Sequence, residues 1–164
     1  GRDGEMIQDH AYTYTRYAAE RVGAPGLQGG TIPIRMGPEA EVDPYGHLNH
    51  SVYVQLFETG RIELLAAVGL GLSDLDNRGY RFVVTNIETA FVKSVEAGDS
   101  IMVETEVVET RRASSIWRQR ILRGDDVMAT QQVRAAITDS NGRPTKAPGE
   151  LAEALAPFTA DSDT

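Results

Sequence analysis

Asp43-Pro44-Tyr45-Gly46-His47-Leu48-Asn49-His50 runs directly into Ser51-Val52-Tyr53-Val54-Gln55-Leu56-Phe57-Glu58-Thr59-Gly60-Arg61. Pro44 and Gly46 interrupt any regular element. Asn49 is a good N-cap, because its side-chain oxygen can accept the amide of the second or third helical residue. The stretch therefore reads as a tight loop opening onto a helix. Such a start leaves the His50 amide unengaged at the positive end of the helix dipole, where it suits an anion or a polarised carbonyl oxygen. Asp43 supplies a carboxylate close by.

Tyr53, Leu56, Phe57, Gly60, Leu64, Ala67 and Val68 recur at steps of three and four, so the spacing predicts a helix over residues 49–68 with one buried face. Gly60 lies in the middle of that face. A glycine there costs roughly 1 kcal/mol against alanine, and close approach of another backbone is the compensating gain. The helix is expected to press against a sheet.

The chain has 164 residues, 41% of them hydrophobic, which is one domain with a sizeable core. Asp and Glu outnumber Lys and Arg by 24 to 16, a formal charge of −8, which argues against a surface for nucleic acid or acidic membrane. The absence of cysteine removes disulfides, thiolate nucleophiles and sulfur-based zinc sites. With no apolar run of membrane-spanning length and no basic-then-apolar order at the N-terminus, a soluble, cytoplasmic protein is expected. His47 and His50 straddle a helix start without a third ligand at zinc spacing, so no metal is expected. A glycine-rich phosphate loop and a Gly-x-Ser-x-Gly elbow are both missing.

Residues 1–30 read as an N-terminal extension. Ile7, Ala11, Tyr14, Ala18 and Val22 keep helical spacing over 6–22, and Gly23, Pro25, Gly26, Gly29 and Gly30 form a linker. A single domain over 31–158 and a short tail over 159–164 complete the division. Residues 31–36 form a strand with Ile32, Ile34 and Met36 on one side, and Pro33 favours an edge position. After the helix, 69–79 reads as a connection. Strands then follow over 81–95, with Val83, Thr85, Ile87, Thr89 and Phe91 alternating, and over 100–110, 114–123 and 127–138. The short turns between the last strands predict an antiparallel meander. Pro148 is expected as the first residue of a helix near 149–156.

The order of strand, helix and four strands, taken with Asp43-x-x-Gly46-His47-x-Asn49-His50-x-x-Tyr53-x-x-x-Phe57-Glu58-x-x-Arg61, resembles the hotdog-fold acyl-CoA thioesterases of the 4-hydroxybenzoyl-CoA thioesterase family. That resemblance implies an α+β hotdog fold, a curved antiparallel sheet wrapped around a long central helix. It implies hydrolysis of an acyl-CoA thioester to a carboxylic acid and CoA, with the thioester as substrate and no cofactor. Asp43 would be the nucleophile or the general base, and the His50 backbone amide the oxyanion donor. Gly46 would let the main chain approach the thioester. The functional unit would be a homodimer with sheets joined edge to edge, pairing again into a dimer of dimers. Lys93, Arg111 and Arg112, near strand ends and on a turn, are the candidates to meet the CoA phosphates. Two positions depart from the family pattern: Glu41 stands where a second Asp is common, and His50 where a second Asn is common.

Each of these residues also has a plainer reading. Asp43 before Pro44 is an ordinary turn residue. His47 is expected to support the loop by hydrogen bonding, and Asn49 to cap the helix. Glu58 and Arg61 sit at i and i+3, which suits an intrahelical ion pair; a secondary role for Glu58 is to position water. Tyr53 reads as core before contact, and Arg111-Arg112 as a solvated turn. His10, Tyr12 and Trp117 have no partner spacing and are left as structural. Two other functions remain open: a non-catalytic acyl-CoA sensor, and a hotdog hydratase or dehydratase acting on an acyl thioester.

Overall fold

The computed structural model describes the main chain of residues 19–21 and, in full, residues 30–37 and 42–159. It contains six strands: β1 (Ala19–Arg21), β2 (Thr31–Met36), β3 (Arg81–Phe91), β4 (Ser100–Thr110), β5 (Ser114–Arg123) and β6 (Asp126–Thr138). Three α-helices accompany them: α1 (His50–Ala67), α2 (Leu72–Asn77) and α3 (Leu151–Leu155). The strands make one antiparallel sheet in the order β1-β2-β4-β5-β6-β3. This is the α+β arrangement expected.

Inward positions of β2 and β4 carry Ile32, Ile34, Met36, Ile101 and Val103, and these form one buried cluster with Val52, Tyr53, Leu56 and Phe57 of α1. The helix is thus held by burial of one face rather than by its caps, as amphipathic helices generally are. Gly60 explains how close it comes. A Cβ there would lie 2.8 Å from Thr105 Oγ1, 2.9 Å from Val103 Cγ1 and 3.0 Å from Gln119 Nε2. The crowding atoms are side chains of β4 and β5, not the backbone that was expected, because inward residues fill the space between helix and sheet.

Several expectations are corrected. Ala19–Arg21 is a strand paired with β2, where the 6–22 helix was predicted; the rest of that prediction lies outside the described residues. Hydrogen bonding to the sheet edge overrides a weak helical periodicity there. Pro33 sits on a strand flanked on both sides, yet β1 pairs only with residues 34–36 of β2, so no β1 partner lies opposite the missing amide. The connection after α1 contains α2, whose Leu75 is 1% exposed and anchors the turn. Ala67 ends α1 exposed, outside the predicted buried face.

The meander is real for β4, β5 and β6, but β3 pairs with β6 at the far edge and not with β4. Residues 92–99 must therefore cross from one side of the sheet to the other, passing the start of α1. A bulge between Val84 and Asn86 also shifts the β3 register, which breaks the regular alternation read from Val83 to Phe91. The C-terminal helix begins at Leu151, and Pro148 precedes it by a turn in which its carbonyl accepts the Leu151 amide at 3.0 Å.

Candidate active site

The loop before α1 is closed by its own main chain and by Asp43. The Asp43 amide donates to the His47 carbonyl at 2.7 Å and the Gly46 amide to the Asp43 carbonyl at 3.0 Å. Asp43 Oδ1 accepts the Tyr45 amide at 2.8 Å and the His47 amide at 3.0 Å. Gly46 adopts φ +83°, a left-handed conformation that favours glycine, and nothing stands within 4 Å of where a Cβ would be. Its role within the protomer is therefore the turn itself.

This geometry reconciles two readings of Asp43. One carboxylate oxygen builds the turn, and the other accepts no hydrogen bond among the described residues. The amide bonds, led by that from His47, hold the Asp43 carboxyl below its ordinary range, with smaller help from the nearby imidazoles of His47 and His50. The group is a carboxylate at neutral pH.

The crossing segment clamps this loop to the helix. The Leu48 amide donates to the Val95 carbonyl at 2.7 Å, and the Val95 amide donates to Tyr53 Oη at 2.8 Å. His47 and Glu96 form an isolated bridge. Tyr53 is 3% exposed, as its reading as core requires, with its hydroxyl satisfied by the main chain. His47 supports the loop through its backbone, and its ring makes no hydrogen bond among the described residues.

Asn49 occupies the N-cap position with φ −62° and ψ 137°, but its side chain makes no capping bond; its carbonyl accepts the Val52 amide at 2.9 Å. The cap expectation is thus corrected. Tertiary clamping by Val95 supplies the fixation that a side-chain cap would have given. No described residue accepts from the His50 amide, so the first N–H of α1 is open. The His50 ring stacks on Phe91 of β3 at 4.3 Å, and Tyr53 meets Phe91 edge-on at 5.2 Å. Phe91 was read only as part of an alternating strand, and only the fold carries it to the helix start.

Asp43, His47, His50, Tyr53, Phe91 and Lys93 line one cleft of about 110 Å³. Lys93 is the predicted basic residue that the structure brings to it, and its Nζ already pairs with Asp126 Oδ1 at 3.0 Å. Arg111 pairs with Glu109 at 3.0 Å beyond the end of β4 remote from Ser100, and Arg112 follows it. Eleven strand residues, roughly 36 Å, separate that turn from the end of β4 near the crossing segment, so neither arginine reaches this cleft within one protomer.

Glu58 is exposed on α1 and lines a second cleft with Arg61. The expected Glu58–Arg61 ion pair is not formed. Arg61 is 8% exposed, and its Nη1 donates to Gln119 Oε1 at 2.8 Å and Gln131 Oε1 at 2.9 Å. Two aligned amide acceptors in a buried frame outweigh one screened pair at the surface. Gln119 and Gln131 are functional candidates that were missed. Their signal was available: each is a polar residue in an inward slot, flanked by Trp117 and Ile121 or by Ala129 and Val133.

Comparison with known proteins places this geometry. The sequence profile of the thioesterase-like superfamily matches residues 38–155. The acyl-CoA thioesterase YbgC of Haemophilus influenzae is 29% identical over 112 residues, covering 68% of this chain and 82% of that protein. The solved structure of a probable thioesterase from Bartonella henselae superposes with a TM-score of 0.68 at 26% identity, over 72% of this chain and 98% of that one. A 1,4-dihydroxy-2-naphthoyl-CoA thioesterase from Synechocystis, 14% identical with a TM-score of 0.69 over 82% of this chain and 97% of that one, shares the fold. An antiparallel sheet carrying an 18-residue helix, an Asp turn at that helix's start and a profile match across most of the chain converge on one family: this protein is a member of the thioesterase-like superfamily, with its hotdog-type fold.

Proposed function

We propose that the chain is an acyl-CoA thioesterase that hydrolyses an acyl-CoA thioester to the free acid and CoA. One observation carries this reading: Asp43, an anionic carboxylate with a free oxygen, and His50, whose helix-start amide is unengaged, line the same cleft. In the reaction, the thioester carbonyl oxygen accepts from the His50 amide as negative charge develops on it. Asp43 either attacks the carbonyl carbon or takes a proton from an attacking water. Because the amide is already fixed by α1 and the Val95 clamp, little reorganisation is needed at the transition state. Gly46 and His47 shape the turn, and Lys93 is placed to meet CoA phosphate if it exchanges partners from Asp126. The YbgC relative, named an acyl-CoA thioesterase, supports the substrate class.

The hotdog arrangement, with the sheet curling round α1, accounts for the burial of Tyr53, Phe57 and Leu64 on one helix face. A homodimer is supported by β3, an edge strand whose Val83, Val84, Ile87 and Phe91 are exposed. Apolar edges of this length normally find a partner strand. Residues 111 and 112 could then approach a site only from another copy, as in a dimer of dimers. No helix among the described residues is long and apolar enough to cross a membrane; an acidic chain acting on CoA thioesters fits the cytoplasm.

The test is release of CoA from short-chain, long-chain and aryl thioesters, followed with a thiol reagent. Asp43→Ala should lower kcat by about 10²–10⁴-fold. His50→Pro deletes the amide donor at a position where proline suits both the helix and the extended Asn49 before it. It should lose about 10²–10³-fold, while His50→Ala, which keeps the amide, should lose far less. Equal losses in the two His50 variants would reject the oxyanion role. Since Asp43 works as the anion and its pKa is depressed, activity is retained above that pKa and is lost as pH falls through it, below the ordinary carboxylate range. Water addition to an enoyl thioester without CoA release would instead identify a hydratase, and tight binding without turnover a sensor.

A further inference from the structure

Arg61 is a buried cation with spare donors. Its Nη1 is held by Gln119 and Gln131, and those amides are themselves oriented: Gln119 Nε2 donates to the Phe57 carbonyl at 2.8 Å and to Thr105 Oγ1 at 2.9 Å, and Gln131 Nε2 to Thr89 Oγ1 at 2.9 Å. Both oxygens are thereby aimed at the guanidinium. Nε and Nη2 make no hydrogen bond, and no carboxylate pairs with Arg61 among the described residues; exposed Glu58 acts on it only through space. Among the described residues Gln55 Oε1 is the side-chain polar atom found both sealed and unpartnered, so the remaining Arg61 donors are not sealed. Arg61 is itself a lining residue of a cleft.

That cleft holds about 210 Å³, and its other walls include Leu65, Leu72, Phe82, Val84 and Trp117. An apolar cavity of about 150 Å³ is enough for benzene, so this one admits a short or single-ring group and has no room for a long alkyl chain. Apolar walls with one preorganised guanidinium are the chemistry of a specificity pocket, and the exposed Glu58 carboxylate, which also lines this cleft, makes no ion pair with that guanidinium. Burial pulls the Arg61 pKa down to about 10, which leaves it charged at neutral pH. The ligand group that best completes such a cation is a carboxylate, taken by the free N–H pair in fork geometry.

Position along the fold tells which end of the substrate would lie here. In one copy, Arg61 is eleven residues along α1 from His50, about 16 Å at a helical rise of about 1.5 Å per residue. On β3, Phe91 marks the Asp43 cleft, whereas Phe82 and Val84 mark the Arg61 cleft. Antiparallel pairing of two β3 edges about a two-fold near Ile87, with the bulge between Val84 and Asn86 counted, would lay Phe91 of a second copy opposite Phe82. The Asp43 loop of the second copy would then open onto the Arg61 cleft of the first.

We propose that the Arg61 cleft is the acyl-end subsite, selecting a short or single-ring acyl thioester whose far end carries a carboxylate. This rests on the thioesterase reading and on dimerisation through β3. The test compares adipoyl-CoA with hexanoyl-CoA, which differ in a terminal carboxylate against a terminal methyl. Binding is measured by titration calorimetry on Asp43→Asn protein, so that turnover plays no part. Adipoyl-CoA should bind about tenfold or more tightly than hexanoyl-CoA. Adding R61M should erase the gap. Adding Q131E should also erase it, because an internal carboxylate then occupies the guanidinium while Arg61 stays in place. Equal affinities in the Asp43→Asn protein, or a gap that survives both additions, would overturn the subsite. Turnover by the wild-type chain reads the other question: hydrolysis with no preference for adipoyl-CoA keeps the thioesterase and removes the subsite. Preferential binding without hydrolysis does the reverse.

Discussion

β3 and β4 are both 11-residue strands with recurring β-branched residues, yet the sheet treats them oppositely. In β4, Ile101, Val103, Thr105 and Val107 are all buried, and the strand has neighbours on both sides. In β3, Val83, Val84, Ile87 and Phe91 remain at least 40% exposed, and among the described residues one edge has no strand beside it. Composition and periodicity do not separate the two. The difference lies in whether the chain supplies its own partner: β4 is completed by β2, β5 and α1, whereas β3 is left to be completed by something else.

The sharpest way to break this comparison uses one residue type on both strands. Ile101→Ala should destabilise the fold by about 3 kcal/mol, through lost burial and the cavity left behind. Ile87→Ala, at 40% exposure, should lower the stability of the separate protomer by about 1 kcal/mol or less. Urea unfolding of both variants at low protein concentration measures this, and similar losses would mean that β3 is already covered.

A second variant addresses what completes β3. Ile87→Lys should leave the separate protomer folded but abolish assembly, since a charge at the middle of a paired edge opposes pairing. Sedimentation should then report a monomer, and CoA release should fall with it if the two clefts meet across that edge. An assembled, fully active Ile87→Lys protein would place the interface elsewhere.

The smallest effect is expected on the outward face of β4, where Glu104 accepts from Arg120 Nε at 2.8 Å with both side chains partly exposed. Glu104→Gln should change stability by less than about 0.5 kcal/mol, because a surface pair is screened by water and salt. A loss comparable to that of Ile101→Ala would show that the outward face is buried in an assembly.

The candidate site was legible to unequal degrees. The Asp43 turn, the open His50 amide and the Tyr53 core position follow from residues within a few steps of one another, and they stand where the sequence indicated. Asn49 shows the limit of that reasoning: residue type and position both suit a cap, but the Val95 clamp holds the loop and the side chain goes unused. Arg61 shows another. Beside Glu58 it reads as half of a surface pair, while Gln119 and Gln131, 58 and 70 residues away, draw it inward.

Turn chemistry, helical spacing and strand alternation act over a handful of residues, so the loop, the extent of α1 and the positions of β2 to β6 could be read directly from the chain, except that β3 ends at Phe91 and not at residue 95 as expected. The order of strands, the β3 bulge, the crossing of 92–99 beneath the helix start and the burial of Arg61 came from folding in three dimensions. These depend on which distant surfaces exclude water together, and on which polar atoms must find partners once it has gone. Neither condition is written in any local stretch.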